Sequence, residues 1–301
     1  STSADEEITG YAKGVGGLSP DGSEYLIQPP HGEGTGLRYP PRPWINVIAN
    51  EKFGFLVSET GAGSTWCMNS REHRLTPWSN DPVTDPHGEA FFLRDDETME
   101  FWSPLPGPSP RSADYEIRHG FGYTRCMMAD AGIEQETLLF ASRTDPLKVV
   151  RVRLRNRRSR ARRLSFFAFC RLVLGTTPGE SGRFVVTEPV PERGLILARN
   201  RMSGEFADRV AFATIISSRT VGPVRLCGDR AAFVGIGGEL RNPAALRDPR
   251  PLAGGFGGGL DPCFAQQVSF EIASGETLDL CFLLGEGSSI EEFNRILARH
   301  N

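Results

Sequence analysis

Closely spaced metal ligands are missing from this sequence. Its six cysteines, Cys67, Cys126, Cys170, Cys227, Cys263 and Cys281, form no Cys-x-x-Cys pair, and five histidines are too few to complete a zinc site. A charge excess is missing too: 34 basic and 37 acidic residues leave a formal charge of −3, so no global field recruits nucleic acid or an anionic membrane. No run of about eighteen apolar residues occurs, and the opening STSADEEITG has neither a basic start nor an apolar core. The segment is therefore expected to be soluble and cytoplasmic, with no nucleic-acid partner and no membrane contact of its own. Cys126, Cys170 and Cys281 sit among apolar neighbours (TRCMM, FAFCRLV, LDLCFLL) as buried thiols do, which points to a reducing compartment. The GFGGGL run at 255–260 has no strand before it and no helix after it, so it lacks the context of a phosphate-cradling loop, and no cofactor is implied.

What the chain has is alternation. From Trp44 onward INVIAN, FGFLVSE, STWCMN, AFFLRD, YEIRHGFGYTRCMM, IEQETLLFAS, LKVVRVRLRN, LSFFAFCRLVL, GLILARN, VAFATIIS, AAFVGIG, QQVSFEI and LDLCFLLG read as strands separated by turn residues. So many strands with almost no helical periodicity between them predict an all-β fold, a large antiparallel sandwich. Val150, Val152 and Leu154 alternate with Arg151 and Arg153, which places aliphatics on one face of a strand and arginines on the other. The following cluster, Arg157, Arg158, Arg160, Arg162 and Arg163, is expected at a solvated hairpin tip between LKVVRVRLRN and LSFFAFCRLVL. Residues 1–41 read as a Gly/Pro-rich lead-in with one edge strand from Tyr25 to Gln28, and residues 42–286 as the sandwich. At residues 287–301 the period changes: Ile290, Phe293 and Leu297 recur at helical spacing, and Ser288 with Glu291 has the form of a capping box. A short C-terminal helix is predicted there, the start of a linker into a further helical domain.

The unusual chemistry is concentrated in residues 42–85. Three of the four tryptophans, Trp44, Trp66 and Trp78, lie here among Asn69, Arg71, Arg74, Asn80 and Asp81. Aromatic faces cover the C–H side of a pyranose while amides, guanidinium groups and carboxylates satisfy its hydroxyls, so these eight residues form a candidate carbohydrate-binding set. The competing explanation is that the tryptophans fill a core and the polar residues cap turns. Glu134 and Glu136, about 7 Å apart on one strand face, meet the spacing of roughly 5 to 10 Å used for glycoside hydrolysis, but alternating charges on a strand are ordinarily its wet face. Asp81 and Asp85 in SNDPVTDP suit Asx turns better than catalysis. His119 in IRHGFGYTR, with no nucleophile motif beside it, reads as structural.

In order, PWINVIANEKFGFLVSETGAGSTWCMNSREHRLTPWSNDPVTDPHGEAFFLRD, FWSP, YEIRHGFGYTR and LRNRRSRARRLSFFAF resemble the N-terminal β-sandwich domain of glycoside hydrolase family 94, formerly glycosyltransferase family 36. The spellings WINVIAN, SRE and LTPWSNDPV are most similar to the phosphorylase-like region of cyclic β-1,2-glucan synthases. The resemblance covers the chain from about Asp21 to its end. It implies a galactose-mutarotase-like super-sandwich that precedes linker helices and an (α/α)6 catalytic domain holding the general acid and most phosphate ligands. It also implies a homodimer, with residues 175–187 matching a loop that borders the neighbouring subunit's sugar site; that loop departs from the Asn/Gln/Arg-rich phosphorylase form, so Glu180 and Arg183 inherit no role. The partners implied are a β-glucan or gluco-oligosaccharide and the downstream catalytic domain. Two functions follow: a non-catalytic sandwich module of a β-glucan synthase or phosphorylase, or a free-standing lectin-like glucan binder.

Overall fold

The computed structural model describes residues 16–32, 36–81 and 83–300; the first part of the Gly/Pro-rich lead-in, residues 1–15, lies outside the described residues. The strands in chain order are β1 (Gly16–Leu18), β2 (Glu24–Ile27), β3 (Ile45–Ala49), β4 (Phe53–Ser58), β5 (Gly63–Cys67), β6 (Glu89–Asp95), β7 (Phe101–Trp102), β8 (Tyr115–Gly120) and β9 (Tyr123–Asp130). They continue as β10 (Ile133–Ala141), β11 (Leu147–Asn156), β12 (Arg162–Arg171), β13 (Val185–Val190), β14 (Leu195–Asn200), β15 (Val210–Ser217), β16 (Arg225–Asp229), β17 (Pro262–Ile272) and β18 (Thr277–Gly287). Three helices, α1 (Arg230–Val234), α2 (Ala244–Arg247) and α3 (Ile290–His300), complete the elements used below.

The strands form an antiparallel ten-stranded sheet in the order β1-β2-β8-β9-β10-β11-β18-β15-β14-β13, a five-stranded sheet β16-β17-β12-β6-β7 and a three-stranded sheet β3-β4-β5. The last two cover one face of the first. Between them lies the main core, where Phe53, Phe55 and Val57 of β4 and Phe91 and Phe166 of the five-stranded sheet meet Val150, Val152, Leu280 and Phe282. This is the large antiparallel β-sandwich that the alternation predicts, with Val150, Val152 and Leu154 turned inward and Arg151 and Arg153 outward.

Two smaller cores explain where the sequence departs from strict alternation. The far face of the five-stranded sheet is covered by α1 and α2, so Phe92, Phe167 and Phe169 pack on Phe233 and Leu246. All seven residues of β6 are buried, and a strand buried on both faces reads as a continuous apolar run. On the far face of the ten-stranded sheet, Phe293 and Ile296 of α3 pack on Leu147, Val149, Leu195, Phe212 and Leu283.

Several sequence expectations are corrected. AAFVGIG is not a strand. Asp229 accepts the Ala231 amide at 3.0 Å and Gly235, at φ +96°, ends a short helix, so N-cap and stop chemistry outweigh the apolar pattern. The β11 and β12 segments do not form a hairpin: β11 pairs with β10 and β18, β12 with β6 and β17. The chain between them crosses from one sheet to the other. Its arginines are not all solvated either, since Arg162 is buried and ion-paired to Asp95 at 2.5 Å. The strand around Tyr25 is not at an edge, because β1 flanks it on one side and β8 on the other. At α3 the cap sits one residue later than predicted: the Ser289 hydroxyl accepts the Glu292 amide at 3.2 Å while the Glu292 carboxylate accepts the Ser288 amide at 2.7 Å. Of the predicted stripe Phe293 is buried, with Ile296 beside it; the side chains of Ile290, Glu291 and Leu297 lie outside the described residues.

One buried group joins all three sheets. The Glu89 carboxylate on β6 accepts Lys148 Nζ of β11 at 2.5 Å and the hydroxyls of Thr65 (β5) and Thr76 at 2.6 Å each. Lys148 Nζ also stands 4.1 Å from the centroid of the Phe55 ring on β4. Burial by itself would push the Glu89 carboxyl up; the Lys148 charge and the three hydrogen bonds outweigh it and hold the group below its ordinary value. Removing one partner strands the other in an apolar interior. Lys148→Met should cost about 3 to 5 kcal/mol, and Glu89→Gln added to it should recover part of that loss, as urea unfolding of the single and double variants will show.

Candidate functional site

The outer face of the three-stranded sheet follows directly from its register. Val47 pairs with Leu56, Ala49 with Gly54 and Gly54 with Trp66, so alternation sends Ile45, Val47, Leu56 and Trp66 outward as Phe53, Phe55 and Val57 go to the core. Ile45 is 49% and Val47 62% exposed. The Trp66 indole lies across Gly54, where a Cβ would come within 2.5 Å of Cζ2; only glycine lets the ring lie flat there. At the other end of this face Ile45 and Leu56 help line a hollow of about 180 Å³ with Arg42, Trp78, Asn80, Asp81 and Asp85. Trp78, 45% exposed, is its aromatic wall.

The loop that carries Trp78 is held from behind. Arg74 hydrogen-bonds through its backbone to Gly175 and donates Nη1 to the Thr176 carbonyl at 3.1 Å and Nε to the Ser70 carbonyl at 2.9 Å. Its guanidinium stands 5.6 Å from the Trp78 ring centroid. This places residues 69–81 beside the loop after β12. Below them His73 is buried, with Nε2 2.6 Å from Glu286 Oε1 and its ring stacked on Phe206 at 4.3 Å. Arg209 donates to the other Glu286 oxygen. Burial would raise the Glu286 carboxyl, but His73 and Arg209 together keep it lowered.

Asp85 has a positive φ of +40°, a region that few residues other than glycine, asparagine and aspartate adopt, and its Oδ2 accepts the hydroxyls of Ser58 and Thr60 at 2.6 Å each. Asp81 builds a turn: its carboxylate accepts the Val83 amide at 2.9 Å, the Thr84 amide at 3.2 Å and the Thr84 hydroxyl at 2.6 Å, and that hydroxyl bond leads the causes that lower its pKa. Asn69 likewise caps the Arg71 and Glu72 amides, and Arg71, highly exposed, pairs with Glu72 at 3.2 Å.

The structure thus brings Trp78, Asn80 and Asp81 into one hollow, with Trp66 and Arg74 adjoining and Asn69 and Arg71 on the neighbouring turn. Trp44 does not join them. It packs edge-on against Tyr25 at 5.2 Å, and its carbonyl accepts Nε2 of His119 at 3.1 Å. His119 has the structural role expected: its pKa is lowered to about 4 by burial, and its other nitrogen meets the Thr124 hydroxyl at 2.9 Å. Glu134 and Glu136 are ion-paired to Arg157 and Arg151 at 2.7 and 2.8 Å. Among the described residues no group of three or more His, Cys, Asp or Glu side chains could hold a metal ion.

Glu59 is missing from the candidate set, and only an acid set inside the apolar FLVSETGAG stretch hinted at it. Buried at the β4–β5 turn, its Oε2 accepts the Trp44 amide at 2.7 Å, and burial, reinforced by the Asp85 charge, raises its pKa to about 7. With the folded value above the unfolded one, the folded state keeps the proton while the unfolded state sheds it between pH 4.5 and 7, so this group lowers stability as pH rises through that window. Glu59→Gln removes the dependence. The variant should gain about 3 kcal/mol over the wild type between pH 4.5 and 8, measured by urea unfolding at each pH.

Residues 34–301 match the family described as glycosyl hydrolase 94, supersandwich domain. The chain is 35% identical over 288 residues to the cyclic beta-(1,2)-glucan synthase NdvB of Rhizobium meliloti (strain 1021), covering 95% of this chain and 10% of that protein. It is 24% identical over 274 residues to the N,N'-diacetylchitobiose phosphorylase of Vibrio proteolyticus, covering 89% of this chain and 33% of that one. Among solved structures, a bacterial glucoamylase complexed with acarbose aligns at a TM-score of 0.48 and 6% identity over 90% of this chain and 37% of that one. The chain therefore spans a tenth to a third of the curated relatives it matches here. No described helix is long and apolar enough to cross a membrane.

Proposed function

Because this chain belongs to the supersandwich domain family of glycosyl hydrolase 94, we propose that it is the non-catalytic sandwich module of a cyclic β-1,2-glucan synthase or related β-glucan phosphorylase. In that role it presents a carbohydrate-facing wall to a helical (α/α)6 catalytic domain and contributes to a subunit interface. The observation that carries the proposal is the half-exposed Trp78 at a hollow whose other polar walls are Asn80, Asp81, Asp85 and Arg42, continuous with the exposed face bearing Trp66. An indole beside carboxyl groups and an amide is what a sugar ring and its hydroxyls require. The backbone pairing of Arg74 with Gly175 supports the assembly part, because it joins the Trp78 loop and the loop after β12 into one rim.

Phosphorolysis needs an acid to protonate the leaving oxygen as phosphate attacks the anomeric carbon. This chain offers none at the hollow: Asp81 and Asp85 both serve as acceptors to hydroxyl and amide donors. The isolated chain, given β-1,2-glucan and phosphate, should release no glucose 1-phosphate, and turnover above background would refute the module assignment. Calorimetric titration with β-1,2-gluco-oligosaccharides should give a Kd near millimolar that Trp78→Ala weakens about tenfold; a flat wild-type titration removes the sugar-facing part. A Kd in the low micromolar range for the isolated chain would favour the free-standing lectin instead.

A further inference from the structure

Two further concavities lie over the outer face of the ten-stranded sheet, one of them bounded on one side by Ile48, Ala49, Asn50 and Glu51 at the end of β3. Two troughs of about 1000 Å³ each run over β8 to β11 and share Glu136 and Arg153 as a common wall, so they form one open channel. Its floor is a ladder of ion pairs: Arg151 to Glu136 at 2.8 Å, Arg153 to Asp279 at 2.9 Å and Arg125 to Glu24 at 3.5 Å. Apolar side chains stand among the pairs, Met127 in one trough and Leu138 and Phe140 in the other. On the lip stands Phe121, 90% exposed. It sits at the tip of the β8–β9 hairpin, where Gly122 takes φ +84°. The neighbouring Tyr123 ring packs across Gly120 and donates its hydroxyl to Glu24 at 2.6 Å.

We propose that this channel is a second carbohydrate-binding surface, which takes a neutral β-glucan chain lengthwise, with a glucose ring on Phe121 and its hydroxyls on the exposed edges of the Arg151–Glu136 and Arg153–Asp279 pairs. Three features select that ligand. The channel is open and long, which suits a chain and not a monosaccharide. The five arginines that line it are balanced in number by five carboxylates, so a polyanion would find little net charge, whereas each paired carboxylate and guanidinium keeps lone pairs or N–H groups for hydroxyls. A protein partner would have to strip water from several ion pairs at the centre of its interface, where charged residues are ordinarily depleted; a glucan leaves much of that water in place. The helix α3 marks the boundary, because it covers the apolar part of the same sheet face and leaves the charged part open.

The choice of glucan rests on the function proposed above, and the test separates the two. Binding of linear β-1,2-gluco-hexasaccharide and of the disaccharide to the full chain is measured by calorimetry for wild type, Phe121→Ala, Arg153→Ala and Trp78→Ala. Both channel residues are solvent-facing, and circular dichroism melts will check that their variants fold. The channel predicts that Phe121→Ala and Arg153→Ala each weaken hexasaccharide binding roughly tenfold, affect the disaccharide far less, and that a hexasaccharide site persists in Trp78→Ala. Unchanged hexasaccharide affinity in Phe121→Ala/Arg153→Ala, or complete loss of binding in Trp78→Ala alone, overturns the channel and leaves the Trp78 hollow standing. Binding sensitive only to the channel variants supports the channel and removes the hollow. No binding by the wild type overturns both.

Discussion

A single carboxylate buried where three sheets meet is the constraint on which the architecture turns. Glu89 takes a charge from the ten-stranded sheet through Lys148, a hydroxyl from the three-stranded sheet through Thr65, and another from Thr76 at the root of the Trp78 loop. In an apolar interior such a group is tolerable only when every lone pair is met. The requirement is positional: the three-stranded sheet cannot slide along the core without leaving the carboxylate short of a donor. The register that sends Trp66 outward and Phe55 inward is therefore held by a polar contact as much as by packing.

The rim above it is organised in the same way. His73, Glu286 and Arg209 pin the base of the loop, Arg74 ties its edge to the loop after β12, and the Ser58 and Thr60 hydroxyls fix the Asp85 carboxylate. A carboxylate fixed by two hydroxyl donors is a positioned group. The outer face of the large sheet divides along its strands. Where outward positions are aliphatic, as at Val149 and Leu283, α3 covers them; where they are charged, as at Arg151 and Arg153, the face stays open to water.

Much of this could be read from residue order. Alternation along β11 gave both the strand and its inward face, because side-chain direction in a strand has period two whatever the strand pairs with. The Trp, Asn and Asp residues of the 42–85 segment were recognisable by type, and three of the candidates do share a hollow. Other features depend on partners distant in sequence, which residue order does not show. The β11 and β12 strands looked like a hairpin because they are adjacent in the chain, yet their hydrogen bonds go to different sheets. Trp44 looked equivalent to Trp78 until its neighbours, Tyr25 and His119, were in view.

Residue order alone makes the chain all-β, gives its strands a wet and a dry face and supplies the residue types that could meet a sugar. These follow from local sterics and from transfer free energy, properties each residue carries wherever it stands. Which tryptophans reach the surface, the pairing of Glu134 and Glu136 with arginines, and the opposite shifts of the buried acids Glu59 and Glu89 arise only from the folded arrangement. Burial raises both carboxyls alike; the presence of Lys148 beside one and Asp85 beside the other comes from contacts across sheets, and a charge acts through space and not along the chain.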